Sequence, residues 1–569
     1  MHMLKSLLLA LGLAAGLNVS LFAQPVVAEG GILNSASYMS PRLPNGGIAQ
    51  GSIFIIFGSG LGPAAIAQAG FPLPTTLAGT TVRVASGGQT LECPLVYTLA
   101  SQVAAILPSN TPTGNATLTV TFNGQTSVAR SFRVAASAFG IYTLNQAGSG
   151  AGVITNFESP TSQPVNTVLR AARPGQTLIL YGTGLGPLPA GTADNAPAPA
   201  VEINRANVRV LVGQREAAIA YAGRAPGFAG LDQINFVVPA GLEGCTIPVV
   251  IQTGTTVSNY ASIAIAPNGG VCSDPLGLSS SQLQVIAGGG SLKIGSLGLA
   301  KAVVELTLPI VGNQNFTTDT GTGVFIELDR QTIERGGTVG FAGVSSLGTC
   351  FVFVGPPDQL TPDDPILPKQ LDAGPTITLN GPRGTRTLRK VPDPLQFGNY
   401  GETLSQSGAG IPGGTPDFLV PGAYVFNNGA GGANVGSFNA NFNFLGNVDW
   451  TNKNAITTVN RSQGVTVTWS GGDPNGTVQI YGYSVSDASE NAVAGFFNCI
   501  ERNSAGRFTV PASVLLALPA TPSGGISLGA PLAGLSIGGV SNPVSFTAPG
   551  LDVGTIFSTN VLLKSVNFQ

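Results

Sequence analysis

Residues 51–63 read Gly51-Ser52-Ile53-Phe54-Ile55-Ile56-Phe57-Gly58-Ser59-Gly60-Leu61-Gly62-Pro63, and residues 175–187 read Gly175-Gln176-Thr177-Leu178-Ile179-Leu180-Tyr181-Gly182-Thr183-Gly184-Leu185-Gly186-Pro187. The two stretches stand 124 residues apart (51 to 175). The match continues more loosely downstream, with Val82-Arg83-Val84 against Val208-Arg209-Val210 and Gln102 through Pro108 against Gln233 through Pro239. Self-similarity at a long fixed spacing marks a duplicated structural unit, so the first half of the chain holds two copies of one domain. Each copy opens with an apolar run that enters Gly-x-Gly-Leu-Gly-Pro. Glycine takes positive φ without a Cβ clash and proline removes a ladder donor, so the run is a buried strand ending in a sharp turn. Alternation over Val208–Val212, a turn at Gly213-Gln214, and apolar runs at Gln233–Val238, Pro248–Gln252 and Ile263–Ile265 supply further strands. Short strands in a unit of this spacing predict an immunoglobulin-like sandwich of about 100 residues plus a connector.

Outward from the repeat, the chain of 569 residues is too long for one core, because single cores stop growing at about 250–300 residues. Charged residues make up only 9% while Gly numbers 79 and Pro 41, which disfavours helices with charged outer faces and predicts an all-β protein. The second half keeps the strand-and-turn pattern, as in Ala302–Leu308 and Gly464–Trp469. Gly472-Asp473-Pro474-Asn475-Gly476, ahead of Val478-Gln479-Ile480-Tyr481, reads as a hairpin turn. The Pro-rich stretch 356–368 and the Gly-rich stretch 408–432 read as loops. The predicted organisation is a signal peptide at 1–28, an immunoglobulin-like domain at 29–141, a second at 142–275, and a larger β-rich region at 276–569 of one or two domains.

Tyr181-Gly182-Thr183-Gly184-Leu185-Gly186-Pro187, Tyr221-Ala222-Gly223 with Pro226-Gly227-Phe228, Asp232-Gln233-Ile234-Asn235, Ser258-Asn259 and Gly270-Val271-Cys272-Ser273-Asp274-Pro275 carry a family resemblance. Over roughly Gly30 to Pro275 the chain resembles the Solibacter-type domain of exported proteins in soil acidobacteria. The strand-plus-glycine-turn opening also looks like the IPT/TIG branch of the immunoglobulin-like superfamily. The resemblance implies a β-sandwich in an extracellular setting and supplies no activity and no functional residues. About 300 residues follow the matching part, so the distinctive work is expected downstream.

Lys5 followed by an apolar run from Leu7 through Leu17, then the small and polar residues Asn18–Gln24, reads as a signal peptide. Cleavage fits after Ala23 or after Ala28, which places the mature start between Gln24 and Glu29. No later apolar stretch is long enough to span a bilayer as a helix, and Leu518-Pro519-Ala520-Thr521-Pro522 lacks the tail of a wall-sorting signal and reads as a loop. The expected location is extracellular or cell-surface, the periplasm being the other compartment that export allows. Export permits disulfides: Cys245 and Cys272 flank one apparent strand pair and are expected to bond, Cys350 in Thr349–Phe353 and Cys499 in Phe496–Ile500 would staple two apolar strands, and Cys93 is left as a small buried apolar residue.

The single histidine is His2, inside the signal peptide, so nucleophiles that need a histidine base and zinc sites that need His ligands are excluded from the mature chain. The net charge of -2, with no basic block, excludes a nucleic-acid surface. Gly58–Pro63 is not a phosphate loop, since proline follows at once and no helix opens. Glu327 and Asp329, two apart on an apparent strand, and Asp358, Asp363 and Asp364 in a loop are the acids a glycosidase or a Ca²⁺ site would use, but they read as a solvated strand face and ordinary loop residues. Trp450, Trp469, Tyr481 and Tyr483 are the aromatics a sugar platform would use, and core packing is their commoner fate. The resulting expectation is a non-enzymatic surface, adhesion or scaffold protein without a cofactor, whose partner is an extracellular protein or polysaccharide. The alternative is a carbohydrate-binding or carbohydrate-active protein using exposed aromatics or an acid pair.

Overall fold

The computed structural model describes residues 24–273, 277–308, 312–335, 346–355, 368–391, 400–408, 414–487, 489, 492–522, 526–527 and 530–569. The signal segment before Gln24 and the loop acids Asp358, Asp363 and Asp364 lie outside these residues.

The chain is all-β, and its first half is two immunoglobulin-like sandwiches. In the first, β1 (Val26–Asn34), β2 (Ile53–Ser59), β5 (Leu95–Leu99) and β6 (Gln102–Ile106) form one sheet in the order β1-β2-β6-β5. The facing sheet has β8 (Arg130–Ala135), β7 (Gly114–Phe122) and β3 (Thr80–Ser86) side by side, with β4 (Gln89–Glu92) on β3. Period-two alternation aims one side of each strand inward, and Phe54, Ile56, Val82, Val84, Val103, Leu118 and Val134 meet between the sheets. β1 begins three residues ahead of position 29, and Val27 is buried.

The second sandwich repeats the plan. β9 (Gly140–Ile141), β10 (Ile154–Asn156), β11 (Thr177–Thr183), β14 (Ile219–Arg224) and β15 (Asp232–Val237) make one sheet. β12 (Val208–Val212), β13 (Arg215–Ala217), β16 (Gly244–Thr253) and β17 (Ala261–Ile265) make the other. The duplication holds at the level of register. Val27, Ile32 and Asn34 of β1 face Gly58, Ile56 and Phe54. Ile141, Ile154 and Asn156 face Gly182, Leu180 and Leu178, each 124 residues on from its counterpart in β2. Where β1 has an irregularity between Val27 and Ile32, the second copy inserts residues 142–153 and so splits the strand into β9 and β10.

The C-terminal half is built on a 14-stranded sheet. At its middle lie β18 (Leu292–Leu308), β19 (Gly312–Leu328) and β32 (Val553–Ser565), with β18 parallel to β32 and antiparallel to β19. One wing runs through β31 (Ala533–Val540), β28 (Thr477–Val485) and β29 (Ala494–Arg502) to β20 (Thr349–Gly355). The other runs through β23 (Tyr400–Gly408), β22 (Gly384–Lys390), β21 (Thr376–Gly381) and β24 (Gly422–Asn427) to β25 (Asn439–Phe444). Each wing has its own core, one rich in Phe and Tyr around Phe325, Tyr400, Tyr424 and Phe438, the other around Trp450, Trp469, Phe497 and Phe568.

The predicted hairpin at 472–476 is corrected by the pairing. β27 (Val465–Gly471) pairs with β26 (Val448–Trp450) and β30 (Arg507–Val510) in a small separate sheet, not with β28. The turn chemistry is as expected, with Asp473 Oδ1 accepting from Asn475 N at 3.0 Å. Such a turn fixes its own four residues and leaves the pairing of the flanking strands to packing.

The second sandwich is welded to the C-terminal half. Leu211, Val250, Val257 and Tyr260 on its outer face share a core with Cys350, Phe351, Val514 and Leu515. Cys245 is bonded to Cys272 with Cα atoms 5.4 Å apart, and α1 (Ser280–Ala287), Leu292 and Leu328 pack against that bridge. A loop of this length contributes about 3 kcal/mol in the chain-entropy account. Cys350 and Cys499 face each other directly on β20 and β29 and are bonded, while Cys93 is free and buried. Burial in apolar surroundings pushes the Cys93 thiol far above its usual range, which makes it inert as a nucleophile.

Candidate functional site

Among the described residues, the acids singled out in the sequence do not converge with the aromatics, of which Trp450 and Trp469 pair across β26 and β27 inside the core. Glu327, one residue before the end of β19, accepts from Ser291 Oγ at 2.6 Å and pairs with Lys369 at 2.9 Å. Asp329 is not a strand residue beside it. It lies after the end of β19 and caps the short helix α2 (Arg330–Arg335), accepting from Thr332 N at 2.8 Å and Thr332 Oγ1 at 2.7 Å. Hydrogen bonding holds both carboxyls below the usual carboxylate range, which suits fixed ion-pair and cap roles rather than a proton donor. Trp450 and Trp469 are in the core, their indole N–H groups donating to Asn452 Oδ1 and Asn503 O. Tyr481 and Tyr483 are half-buried, and Tyr483 donates to Pro531 O at 3.3 Å. Leu518-Pro519-Ala520-Thr521-Pro522 is a loop with Leu518 fully buried. Among the described residues no group of three or more His, Cys, Asp and Glu side chains could hold a metal ion, and no helix is long and apolar enough to cross a membrane.

What the structure does bring together is a polar joint between the two sandwiches. Asn34 Nδ2 donates to Ala138 O at 3.1 Å and Thr183 O at 3.2 Å. Thr183 Oγ1 accepts from Ile53 N at 2.9 Å and donates to Gly230 O at 2.7 Å. Ser109 gives its backbone N–H and its hydroxyl to the two oxygens of Asp194 at 2.7 and 2.6 Å, and Leu188 N donates to Ser109 Oγ at 2.9 Å. Ser35 and Tyr142 hydroxyls meet at 2.6 Å. Loop 225–231 lies over the first sandwich, where Ala229 packs with Leu73, Ile106 and Ile53.

Behind this loop sits the most buried ion pair of the molecule's described residues. Arg224 Nη1 donates to Asp232 Oδ1 at 2.7 Å with both side chains out of solvent, while Asp232 Oδ2 accepts from Gly184 N at 2.7 Å and Leu185 N at 2.8 Å. Burial pushes the Asp232 carboxyl up, and Arg224 and the two backbone N–H groups pull it back. Arg224 Nε and Nη2 are buried without a partner. The glycine turn that opens the second copy is thus held by a carboxylate.

A second buried charge lies in the C-terminal half. Lys301 stands on β18 after Leu297 and Leu299 on the same inward face, directly across the ladder from Asp319 on β19. Its Nζ is 3.3 Å from Asp319 Oδ1 and 2.7 Å from Asp417 Oδ2. Neither cluster was singled out in the sequence. The signals were present: a lysine inside the apolar run Leu297–Val304, and an arginine and an aspartate bracketing residues 225–231, the seven-residue loop that stands where the first copy has only Ala100-Ser101.

No protein-family model matches the chain, and no curated protein matches it. Among solved structures, domains 5–6 of the S-layer protein SbsC align at 12% identity over 42% of this chain and 98% of that one, with a TM-score of 0.16. SGBP-B from a complex xyloglucan utilization locus in Bacteroides uniformis aligns at 11% identity over 67% and 86%, also with a TM-score of 0.16. Immunoglobulin domains 1–4 of Sidekick-1 align at 9% identity over 95% and 99%, with a TM-score of 0.12. Likeness at this level carries no activity or partner across, and the fold rests on the strand pairings described above.

Proposed function

We propose that this chain is an exported, non-enzymatic scaffold or adhesion protein of the cell surface or its surroundings, related to the Solibacter-type domain it resembles in sequence. The observation that carries this reading is where the buried polar groups and disulfides are placed. Several of them sit at the joints between modules: Asn34, Ser109, Asp194, Arg224 and Asp232 where the two sandwiches meet, and Cys245–Cys272 between the second sandwich and the sheet, while Cys350–Cys499 and the Lys301–Asp319 pair lie within the C-terminal sheet. Such groups hold modules in one orientation, which serves load-bearing or display better than turnover. The two disulfides suit an oxidising compartment.

The repeat also supports one of the two processing sites. Val26 and Val27 pair with Ser59 and Gly58, the positions that correspond to the Gly140-Ile141 pairing with Thr183 and Gly182 in the second copy. Cleavage after Ala28 would remove this piece of the sheet, whereas cleavage after Ala23 keeps it. N-terminal sequencing of the exported chain should therefore begin at Gln24, and a start at Glu29 would refute this assignment.

The functional reading is tested by incubating the purified exported chain with insoluble plant, fungal and bacterial polysaccharides, with and without calcium, while assaying reducing-sugar release. The expected result is no sugar release under any condition. Retention without release would make a polysaccharide the partner, absence of both would direct the search to a protein partner, and sugar release would overturn the non-enzymatic reading.

A further inference from the structure

We propose that Lys301 and Asp417 condense into an intramolecular amide bond that staples β18 to the segment leading into β24. The observations are geometric. Two chain segments converge on one ammonium group whose side chain is 9% exposed: one brings Asp417 Oδ2 to 2.7 Å and Leu419 O to 3.3 Å, the other Asp319 Oδ1 to 3.3 Å. Asp319 is fully buried, and its other oxygen accepts from Ser405 Oγ at 2.7 Å, Phe418 N at 2.6 Å and Leu419 N at 2.8 Å. Those two backbone N–H groups belong to the residues immediately after Asp417, so Asp319 itself holds the Asp417 carboxyl against the amine. Arg383 donates to Asp417 O from the other side and fixes the same residue. An amine and a carboxyl held at contact distance react as though at very high concentration, with effective molarities on the order of 10⁵ M or more for well-oriented pairs.

The net charge of the cluster is the same before and after condensation. The cluster confines two carboxylates with one ammonium, and a buried ion pair recovers its desolvation only with excellent geometry. Condensation removes the Lys301 and Asp417 charges together and leaves Asp319 its three hydrogen bonds, from Ser405 Oγ and the N–H groups of Phe418 and Leu419, without a counter-charge. The step balances as follows. A proton moves within the ion pair from Lys301 Nζ to Asp417, and the free amine lone pair attacks Asp417 Cγ. Asp319 Oδ1 takes a proton from the attacking nitrogen and passes it to the departing hydroxyl. The Nζ–Cγ bond forms, the Cγ–OH bond breaks, one water leaves, and Asp319 is regenerated. No oxidant, metal or cofactor is required. Asp417, 40% exposed, gives the water a way out.

The test is the intact mass of the whole exported chain after disulfide reduction, followed by tryptic mapping. The expected mass is lower than the sequence sum by one water, with a branched peptide joining Lys301 to Asp417. Lys301→Arg should restore the full mass, and so should Asp319→Asn if that carboxylate relays the proton. Asp417→Asn should lose ammonia in place of water and arrive at the same cross-linked mass as the wild type, which identifies the electrophile. Recovery of Lys301 and Asp417 in separate linear peptides from the wild-type chain would overturn the proposal and leave an ion pair only. That failure would not touch the scaffold reading, which rests on the module joints.

Discussion

The two sandwiches share a strand plan down to register and, besides the split of β1's counterpart into β9 and β10, part company at one turn. In the first copy, β5 and β6 are joined by Ala100-Ser101 alone, and the main-chain carbonyls of these residues take the N–H groups of Leu61 and Gly58 at 2.9 and 3.0 Å. In the second copy the same two strands are separated by residues 225–231, with Arg224 and Asp232 at the ladder ends. A tight turn can satisfy its neighbours with backbone. A long loop moves its carbonyls away, and the N–H of Leu185, the counterpart of Leu61, is met instead by the Asp232 carboxylate, which also takes the N–H of Gly184. A buried carboxylate needs a counter-charge, which Arg224 supplies. One insertion therefore accounts for the loop, the ion pair and the contact with the first sandwich together.

The largest expected effect comes from breaking that ion pair. Asp232→Ala leaves a buried guanidinium without its partner and two buried N–H groups without an acceptor, and should cost about 3–5 kcal/mol by chemical denaturation of the whole chain. Ser101→Ala, at the corresponding position of the first copy, should stay within about 0.5 kcal/mol because that side chain is exposed. Should Asp232→Ala prevent folding, the pair Arg224→Met with Asp232→Leu supplies the second measurement. Removing both charges should recover part of the loss but not all, since Gly184 and Leu185 N–H remain unmet. Full recovery would mean that the carboxylate's hydrogen bonds to the turn contribute nothing.

The next effect is smaller and compares the same glycine in both copies. Gly51 and Gly175 both have positive φ, +71° and +81°, and donate to Leu107 O and Val238 O. A Cβ at Gly175 meets nothing within 4 Å, whereas at Gly51 it would lie 2.9 Å from Arg224 Nη2 and Ser109 Oγ and 3.1 Å from Gly186 O. Each alanine should cost about 1–2 kcal/mol for the left-handed backbone. Gly51→Ala should cost visibly more than Gly175→Ala, because it alone also forces the joint apart. Equal midpoints in denaturant would show that the joint is soft enough to move aside.

How much of this was legible in the sequence follows from the range over which each signal acts. The duplication and the strand-then-glycine-turn openings are local patterns, and the sandwiches follow from them. The disulfides were legible because Cys245 and Cys272 flank one strand pair and Cys350 and Cys499 each sit in an apolar strand, which leaves Cys93 over. The hairpin expected at 472–476 failed because a turn motif is local and strand pairing is not. Asp329 was assigned to a strand because the alternation of β19 gives no sign of where it stops, and Asp329 is where the chain turns into a cap. Arg224–Asp232 and Lys301–Asp319–Asp417 were missed because each joins residues whose proximity depends on a loop or on a register between strands. A lone charge in an apolar run announces that a partner exists without saying which one.

The smallest expected effect lies where the copies agree. Arg83 pairs with Glu92 at 2.9 Å in the first copy, and Arg209 pairs with Glu216 at 2.7 Å in the second, each across neighbouring strands and each largely in solvent. The arginine in each pair holds its glutamate below the usual carboxylate range, through hydrogen bonds in the first place. A carboxyl whose folded value is depressed contributes stability that is present above its unfolded value, about 4, and is lost as pH falls through the folded value. The window is therefore acidic, and at neutral pH both contributions are in place. They are also screened, since exposed pairs exchange with water and salt. Glu92→Gln and Glu216→Gln should each shift the thermal midpoint little at neutral pH, by similar amounts, and less still at high salt. A large shift in one copy alone would mean that its pair is shielded from solvent and that the joint is not the main difference between the sandwiches. If both are small and Asp232→Ala is large, stability in this protein tracks burial of charge and not the number of ion pairs.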